Sequence, residues 1–237
     1  TLGDVLTKIA DKIDAPFLVT GYNSFTHPQF YTSLINEHNQ SPEWLILGGA
    51  AHTLSRSERR YSAQYIAQND NVIQRIDEQS QASENSVYLA NVAACGKQFL
   101  QHLRETRIDP HEAESWMGIV KAYLRDHQAK VAETSWTLQT DSDEDLLTLH
   151  RHLLDEGQDA HILSELPASV RVIPPVRVDP QVSVGQNAQI GPYVYLERGS
   201  SIGANARVSN TILLQNGKVA ANEQVENAII ASIGRIV

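Results

Sequence analysis

Cysteine is nearly missing from this chain of 237 residues: Cys95 stands alone, so no internal disulfide can form. The run LANVAACG around it is small and apolar, which predicts a buried, unreactive thiol. No apolar stretch approaches the roughly 20 residues of a membrane-spanning helix, and TLGDVLTKIADK lacks the basic head and apolar centre of a signal peptide. A soluble, cytoplasmic protein is expected. Positive charge is scarce as well. Lys and Arg number 19 against 28 Asp and Glu, for a formal charge of −9, and no basic stripe interleaved with aromatics occurs, so nucleic acid is not an expected partner. The chain also lacks a leading methionine. It begins at Thr1 and enters a helical pattern at once (Val5, Leu6, Ile9, Ile13), as a chain cut from something longer would.

What is present divides into two parts. From residue 170 onward His, Trp, Met and Cys disappear and Val, Ile, Gly, Asn and Ala dominate. Every sixth residue is a large aliphatic: Val172, Val178, Val184, Ile190, Leu196, Ile202, Val208 and Leu214. Four places after each stands a small or β-branched residue, Val176, Val182, Ala188, Val194, Ser200, Ala206 and Ile212. Asp179, Gly185, Gly191 and Gly203 follow the aliphatics directly, as corner residues. This hexapeptide pattern predicts a left-handed parallel β-helix with three hexads to a coil and the sixth-residue aliphatics inside. A slip is expected near Lys218, after which Val219, Val225, Ala231 and Val237 resume the period. Open solenoid ends expose strand edges, which predicts self-association.

Residues 1–162 alternate helical and strand patterns and predict an α/β layer structure, with the β-helix domain occupying residues 163–237. Helices are expected at 4–14, 28–38, 96–107, 111–126 and 142–156. Strands are expected at 44–50 and 86–96, and as a pair over 59–76 joined at the turn NDN. The acidic run DSDED should start the last helix. PFLVTGYNSF, residues 16–25, reads as a buried strand running into a turn, with Gly21 and Asn23 suited to positive φ. Such strand ends collect ligands in open α/β sheets, and nucleotide chemistry there needs a carboxylate to hold a cation. This turn offers Tyr22 and Asn23 instead.

Other groups read as structural. His150 and His152 lie two apart on a helix and cannot face one ion together, which predicts solvated surface positions. His111 with Glu112 and Glu114 reads as a helix start. GGAA at 48–51 reads as a strand-end turn, and Arg56, Arg59 and Arg60 as a solvated basic turn.

The order of these segments resembles the sugar-1-phosphate nucleotidyltransferases, or nucleotide-sugar pyrophosphorylases, in which a Rossmann-like domain precedes a left-handed β-helix. PFLVTGYNSF with LINEHN resembles the family's strand ending in Asn-Gly-Asp and the helix after it. VIQRIDEQS resembles the strand closing in Glu-Lys-Pro, and SVYLANVAACG the strand carrying an Asn near the sugar. SWTLQTDSDEDLLTLHRHLL is similar to the Trp-x-Asp-x-Gly-Thr-Pro-Glu-Asp segment, and IPPVRVDPQVSVGQNAQIGPYVYL to the opening of the β-helix. The resemblance implies transfer of a nucleotide from an NTP to a sugar 1-phosphate, with Mg²⁺ as cofactor of an intact active form.

The same resemblance implies losses. The phosphate-binding loop G-x-G-T-R-x-x-P is missing, so the nucleotidyltransferase domain is incomplete. The metal acids fall on Asn23, or Tyr22 with a shift of one, and on Leu138. Gln79 replaces the lysine that would meet the sugar phosphate, and Ser62 stands where the family has Gly. Glu78 and Asn91 remain as sugar contacts. Three readings follow: a non-catalytic regulatory or scaffolding subunit, paired through its β-helix with a second copy or an active paralogue; a C-terminal fragment of an active enzyme; or a module binding a sugar or nucleotide without chemistry. A hexapeptide acyltransferase is disfavoured, because no His follows His161 to serve as base.

Overall fold

The computed structural model describes residues 2–54, 61–66, 69–78, 86–105, 109–157 and 160–236. It resolves into two compact units, Thr1–Asp141 and Ser142–Val237.

The first unit is mixed α/β. Its elements are α1 (Leu2–Ala10), β1 (Phe17–Thr20), β2 (Ser24–Thr26), α2 (Gln29–Gln40), β3 (Leu45–Ala50), β4 (Tyr61–Ile66), β5 (Val72–Glu78), β6 (Ser86–Cys95), α3 (Lys97–Glu105), α4 (Trp116–Tyr123), β7 (Ala129–Thr134) and β8 (Thr137–Gln139). Six strands form one sheet in the order β1-β6-β3-β7-β5-β4, and β2 with β8 forms a separate antiparallel ribbon. Within the sheet β3 runs parallel to β7 and antiparallel to β6.

The alternation of side chains along β3 sends Leu45 and Leu47 to one face and Ile46 to the other. Leu45 and Leu47 pack with Leu6, Phe99, Trp116, Ile119 and Val120 of α1, α3 and α4. Ile46 packs with Phe30 and Leu34 of α2. Both faces are therefore covered, which is why WLILGGA is apolar without interruption. The turn NDN between β4 and β5 places Asp70 and Asn71 at φ 53° and 56°, the left-handed pair that a tight hairpin needs.

Three details differ from the sequence reading. GGAA is not a strand-end turn: Gly48 and Gly49 lie inside β3, where an added Cβ would come within 2.9 Å of Phe30 and 2.6 Å of Val87. The helix expected over 111–126 is a 3₁₀ turn at Glu112–Glu114 followed by α4. It breaks because Ser115 is extended (φ −128°, ψ 154°) and its hydroxyl accepts from the Gly118 amide, capping α4 anew. Strands β2, β7 and β8 were not legible as strands, being short or built largely from small and polar residues. Arg56, Arg59, Arg60 and Gln79 lie outside the described residues.

The second unit is a parallel β-helix carrying helix α5 (Asp143–Gly157). Ser142 is the cap of α5: its hydroxyl accepts from the Asp145 amide while the Asp145 carboxylate accepts from the Ser142 amide. The strands are β9 (Ala160–Ile162), β10 (Arg171–Val172), β11 (Val176–Val178), β12 (Ser183–Val184), β13 (Gln189–Ile190), β14 (Val194–Leu196), β15 (Ser201–Ile202), β16 (Arg207–Leu213), β17 (Lys218–Val219), β18 (Gln224–Ala231) and β19 (Gly234–Arg235). They stack in three parallel columns: β10-β13-β16-β18, β12-β15-β17 and β9-β11-β14-β16-β18. Residues 142–162, read from sequence with the α/β part, thus group with the coils. Strand β9 pairs with β11, and His150 of α5 lies 3.0 Å through Nε2 from the Tyr193 carbonyl. His150 is accordingly buried rather than solvated, because α5 lies against the coil corner at Tyr193.

Val178, Val184, Ile190, Leu196, Ile202 and Val208 fill the core as the six-residue period requires. The slip falls earlier than Lys218. Ile190 pairs with Val208, but Val194 pairs with Thr211 and Leu196 with Leu213, so one residue is missing from the corner at 209–211. Leu213 and Thr211 are therefore the inward residues in place of Leu214 and Ile212, and Ile230 in place of Ala231. Val237 lies outside the described residues.

Two of the corner glycines are required for space. Gly185 and Gly203 do not have positive φ; a Cβ there would strike the amide nitrogen of the next coil, Ala204 or Ala221, at 2.3 Å. The residues three places after an inward aliphatic take the left-handed conformation: Gln181, Asn187, Tyr193, Asn205, Asn216 and Asn222 at φ between 57° and 64°, and Gly199 at 75°. Three of the asparagines form a ladder: Asn187 Nδ2 donates to Asn205 Oδ1 (3.5 Å), and Asn205 Nδ2 to Asn222 Oδ1 (3.1 Å). Asparagine tolerates this conformation because its short polar side chain bonds locally. Among the described residues, no helix is long and apolar enough to cross a membrane.

Candidate functional site

The turn after β1 is held by its neighbour strand. Gly21 N donates to the Asn91 carbonyl (2.6 Å), Asn91 N donates to Ser24 Oγ (3.1 Å), and Ser24 N closes the turn onto the Gly21 carbonyl (3.1 Å). Neither Gly21 nor Asn23 has positive φ. Glycine is needed at 21 for space instead, since a Cβ would sit 3.0 Å from Asn91 Cβ. Asn91 is thus clasped on both of its backbone groups.

Tyr22, at 97% exposure, points to solvent. Asn23 turns toward the end of β8: its Nδ2 donates to Asp141 Oδ1 (3.1 Å) and its carbonyl accepts from Thr140 N (2.8 Å). Leu138 pairs with Phe25 across the β2–β8 ribbon and is 0% exposed. The two positions matched to metal acids therefore lie near the β2–β8 ribbon, Asn23 in the turn before β2 and Leu138 on β8, but Leu138 turns into the core. The carboxylate that the fold brings to Asn23 is Asp141. The sequence conceals it, because Asp141 opens the run DSDED and reads as part of the helix start.

Beside this turn lies a small cavity of about 20 Å³, walled by Ser24, Thr53, Tyr61, Tyr88, Asn91, Thr137 and Gln139 with Leu89. That is room for about one water. Among the described residues its wall is hydroxyls, amides and two phenol rings. Thr53 helps shape it, donating through Oγ1 to the Thr137 carbonyl (3.0 Å). Of the two positions that the resemblance implies as sugar contacts, Asn91 stands in this wall. Glu78 does not: it is exposed at the end of β5, cross-strand from Tyr61.

These residues do not fit Mg²⁺. Magnesium requires hard oxygen ligands in near-octahedral arrangement, and one of the two matched positions is a buried hydrocarbon while the other is an amide bonded to Asp141. Among the described residues no cluster of three or more His, Cys, Asp or Glu could hold a metal. Cys95 is fully buried, and burial pushes its thiol up, away from the thiolate form a nucleophile needs.

Residues 172–237 match the family model of the GMPPB C-terminal domain. No curated protein matches the chain. Among solved structures it is similar to the inositol-1-phosphate CTP transferase from T. maritima, at 15% identity and TM-score 0.45 over 61% of this chain and 58% of that one. It is also similar to a Bacillus anthracis structure described as a glucose-1-phosphate thymidylyltransferase in complex with a sucrose, at 13% identity and TM-score 0.48 over 69% of this chain and 63% of that one. The chain thus spans less than two thirds of either structure. The family-model match falls on the repeat: residues 172–237 are similar to the GMPPB C-terminal domain, and a mixed α/β unit precedes them in this chain.

Proposed function

We propose that the chain is a non-catalytic member of the sugar-phosphate nucleotidyltransferase family, a regulatory or scaffolding subunit in nucleotide-sugar biosynthesis. It assembles through its hexapeptide-repeat solenoid with a second copy or an active paralogue. The observation that carries the reading is Leu138, fully buried opposite Phe25 where the resemblance requires a metal carboxylate. Phosphoryl transfer develops charge that a divalent cation stabilises by several kcal/mol, and a leucine supplies none of it. The size of the cavity agrees: about 20 Å³ is far below the several hundred Å³ of a typical ligand pocket. Assembly is supported by the last hairpin of the solenoid, β18–β19, where Ile233 is 93% and Ile236 49% exposed.

The test is pyrophosphate release by the purified chain from NTPs and sugar 1-phosphates with Mg²⁺. None is expected, and Mg²⁺-dependent turnover overturns the reading. The assembly part is checked separately by sedimentation, alone and with an active nucleotidyltransferase. Ile233→Glu should weaken the complex, and a chain that stays monomeric in both mixtures removes the scaffold role.

A further inference from the structure

Under α3 and α4, away from the candidate site, lies a closed cluster of aromatic and titratable rings. His102 of α3 is 4% exposed. Its ring meets Tyr123 edge-on at 5.3 Å and His127 edge-on at 5.4 Å. His127, in the turn after α4, stacks flat on Tyr123 at 4.6 Å and 9°. Tyr123 is 0% exposed and in turn meets Phe99 of α3 at 5.2 Å. The Tyr123 hydroxyl and His127 Nδ1 are both buried without a hydrogen-bond partner.

This packing suits two neutral imidazoles and fits charged ones poorly. A protonated His127 would present an unpaired N–H to a dry, aromatic wall, and a protonated His102 would stand beside it with like charge. We propose that His102 and His127 form a proton-operated latch: neutral, they close α3 onto the end of α4, and protonation of the pair opens that corner. The groups facing the pair are Tyr123 and Asp126 from the end of α4 and Cys95 from β6, which lies against Tyr123. Among these groups Asp126 favours a proton on His102. Its pull is outweighed: burial, then the neighbouring His127, holds the His102 pKa below its ordinary value.

The consequence is local. His127 leads directly into β7, and the His127 amide is bonded to the Tyr123 carbonyl (3.1 Å), so release of the ring stack frees the turn that starts this strand. Strands of the solenoid carry no such cluster and serve as an internal reference.

The test is hydrogen exchange on the full chain, followed by mass spectrometry and corrected for the intrinsic pH dependence of exchange. Protection over residues 97–105 and 116–127 should fall about tenfold between about pH 7 and about pH 5, while residues 176–213 keep theirs. His102→Gln and His127→Gln, each leaving one neutral ring, should retain protection at the lower pH. Proton NMR of the wild-type imidazoles gives a readout that survives even if both variants fail to fold: the His102 ring should titrate below the ordinary histidine value. Protection unchanged with pH in the wild type, the same loss in both variants, or a His102 ring titrating at the ordinary value overturns the proposal.

Discussion

In the coils, Val172, Ile190, Val208 and Val225 stand one above the next by parallel pairing, each at the same place in its repeat. In the α/β unit Leu45 instead pairs with Cys95 on one side and Ala129 on the other, residues with no repeating relation to it. The first arrangement makes a core from one rule applied many times; the second makes it from many separate long-range agreements. Errors in reading follow the same division. In the solenoid they are slips of register, correctable by a single missing residue at 209–211. In the α/β unit they are whole elements, such as β7 and β8, whose existence depends on what they pair with.

The difference can be attacked from both sides. The largest effect is expected from Ile190→Asp, which puts an uncompensated carboxylate into the coil core and should cost about 4 kcal/mol or more. Urea unfolding followed by circular dichroism checks it; a loss below about 1 kcal/mol would mean that the coils do not share one core.

Leu138→Asp makes the corresponding substitution in the α/β unit and should destabilise by about 3 kcal/mol, because the side chain is fully buried. Thermal melts with and without Mg²⁺ decide the point. Recovery of the lost stability by the ion would show a metal pocket that the wild-type leucine merely plugs.

Asn205 tests the corner rule. Asn205→Ala removes two amide hydrogen bonds and leaves a Cβ at φ 58°, for a loss of about 1–2 kcal/mol. Asn205→Gly loses the same bonds without the conformational cost and should be the milder of the two in the same urea titration.

The smallest effect expected is on pH dependence. Burial is the main cause of the lowered His150 pKa, outweighing the Tyr193 carbonyl, which favours its proton. The unfolded histidine therefore takes up a proton near its ordinary value while the folded one does not. Stability from His150 is complete above that value and is lost as pH falls toward the folded pKa. His150→Gln should flatten the acid limb of the melting curve, and an unchanged limb would assign acid sensitivity to the α/β unit, where His38 and His102 are shifted the same way by burial.

Much of the candidate site was legible as a set of positions but not as a set of neighbours. The matched segments placed Asn23, Leu138 and Asn91 near one another, and the β1–β2 turn, the β2–β8 ribbon and the cavity wall do gather around them. The direction of each side chain was not legible. Strand parity sends Leu138 inward, and chain curvature beyond β8 swings Asp141 back onto Asn23. In the same way nothing in the spacing of His102 and His127 announces that their rings meet, because they sit on different elements brought together by the packing of Phe99, Trp116 and Tyr123.

By itself the sequence determined the parallel coils, their inward aliphatics and the small residues between them. A repeat buries its face only against copies of itself, so local period and tertiary contact carry the same information. The covered sheet of the first unit was likewise written in uninterrupted apolar runs such as LILGGA. Only the tertiary structure decided where the period slips, that asparagines take several of the left-handed corners, which carboxylate reaches Asn23, and that two histidine rings meet beside Tyr123. Each of these depends on the space left by a residue distant in the chain, and a one-dimensional pattern does not encode that space.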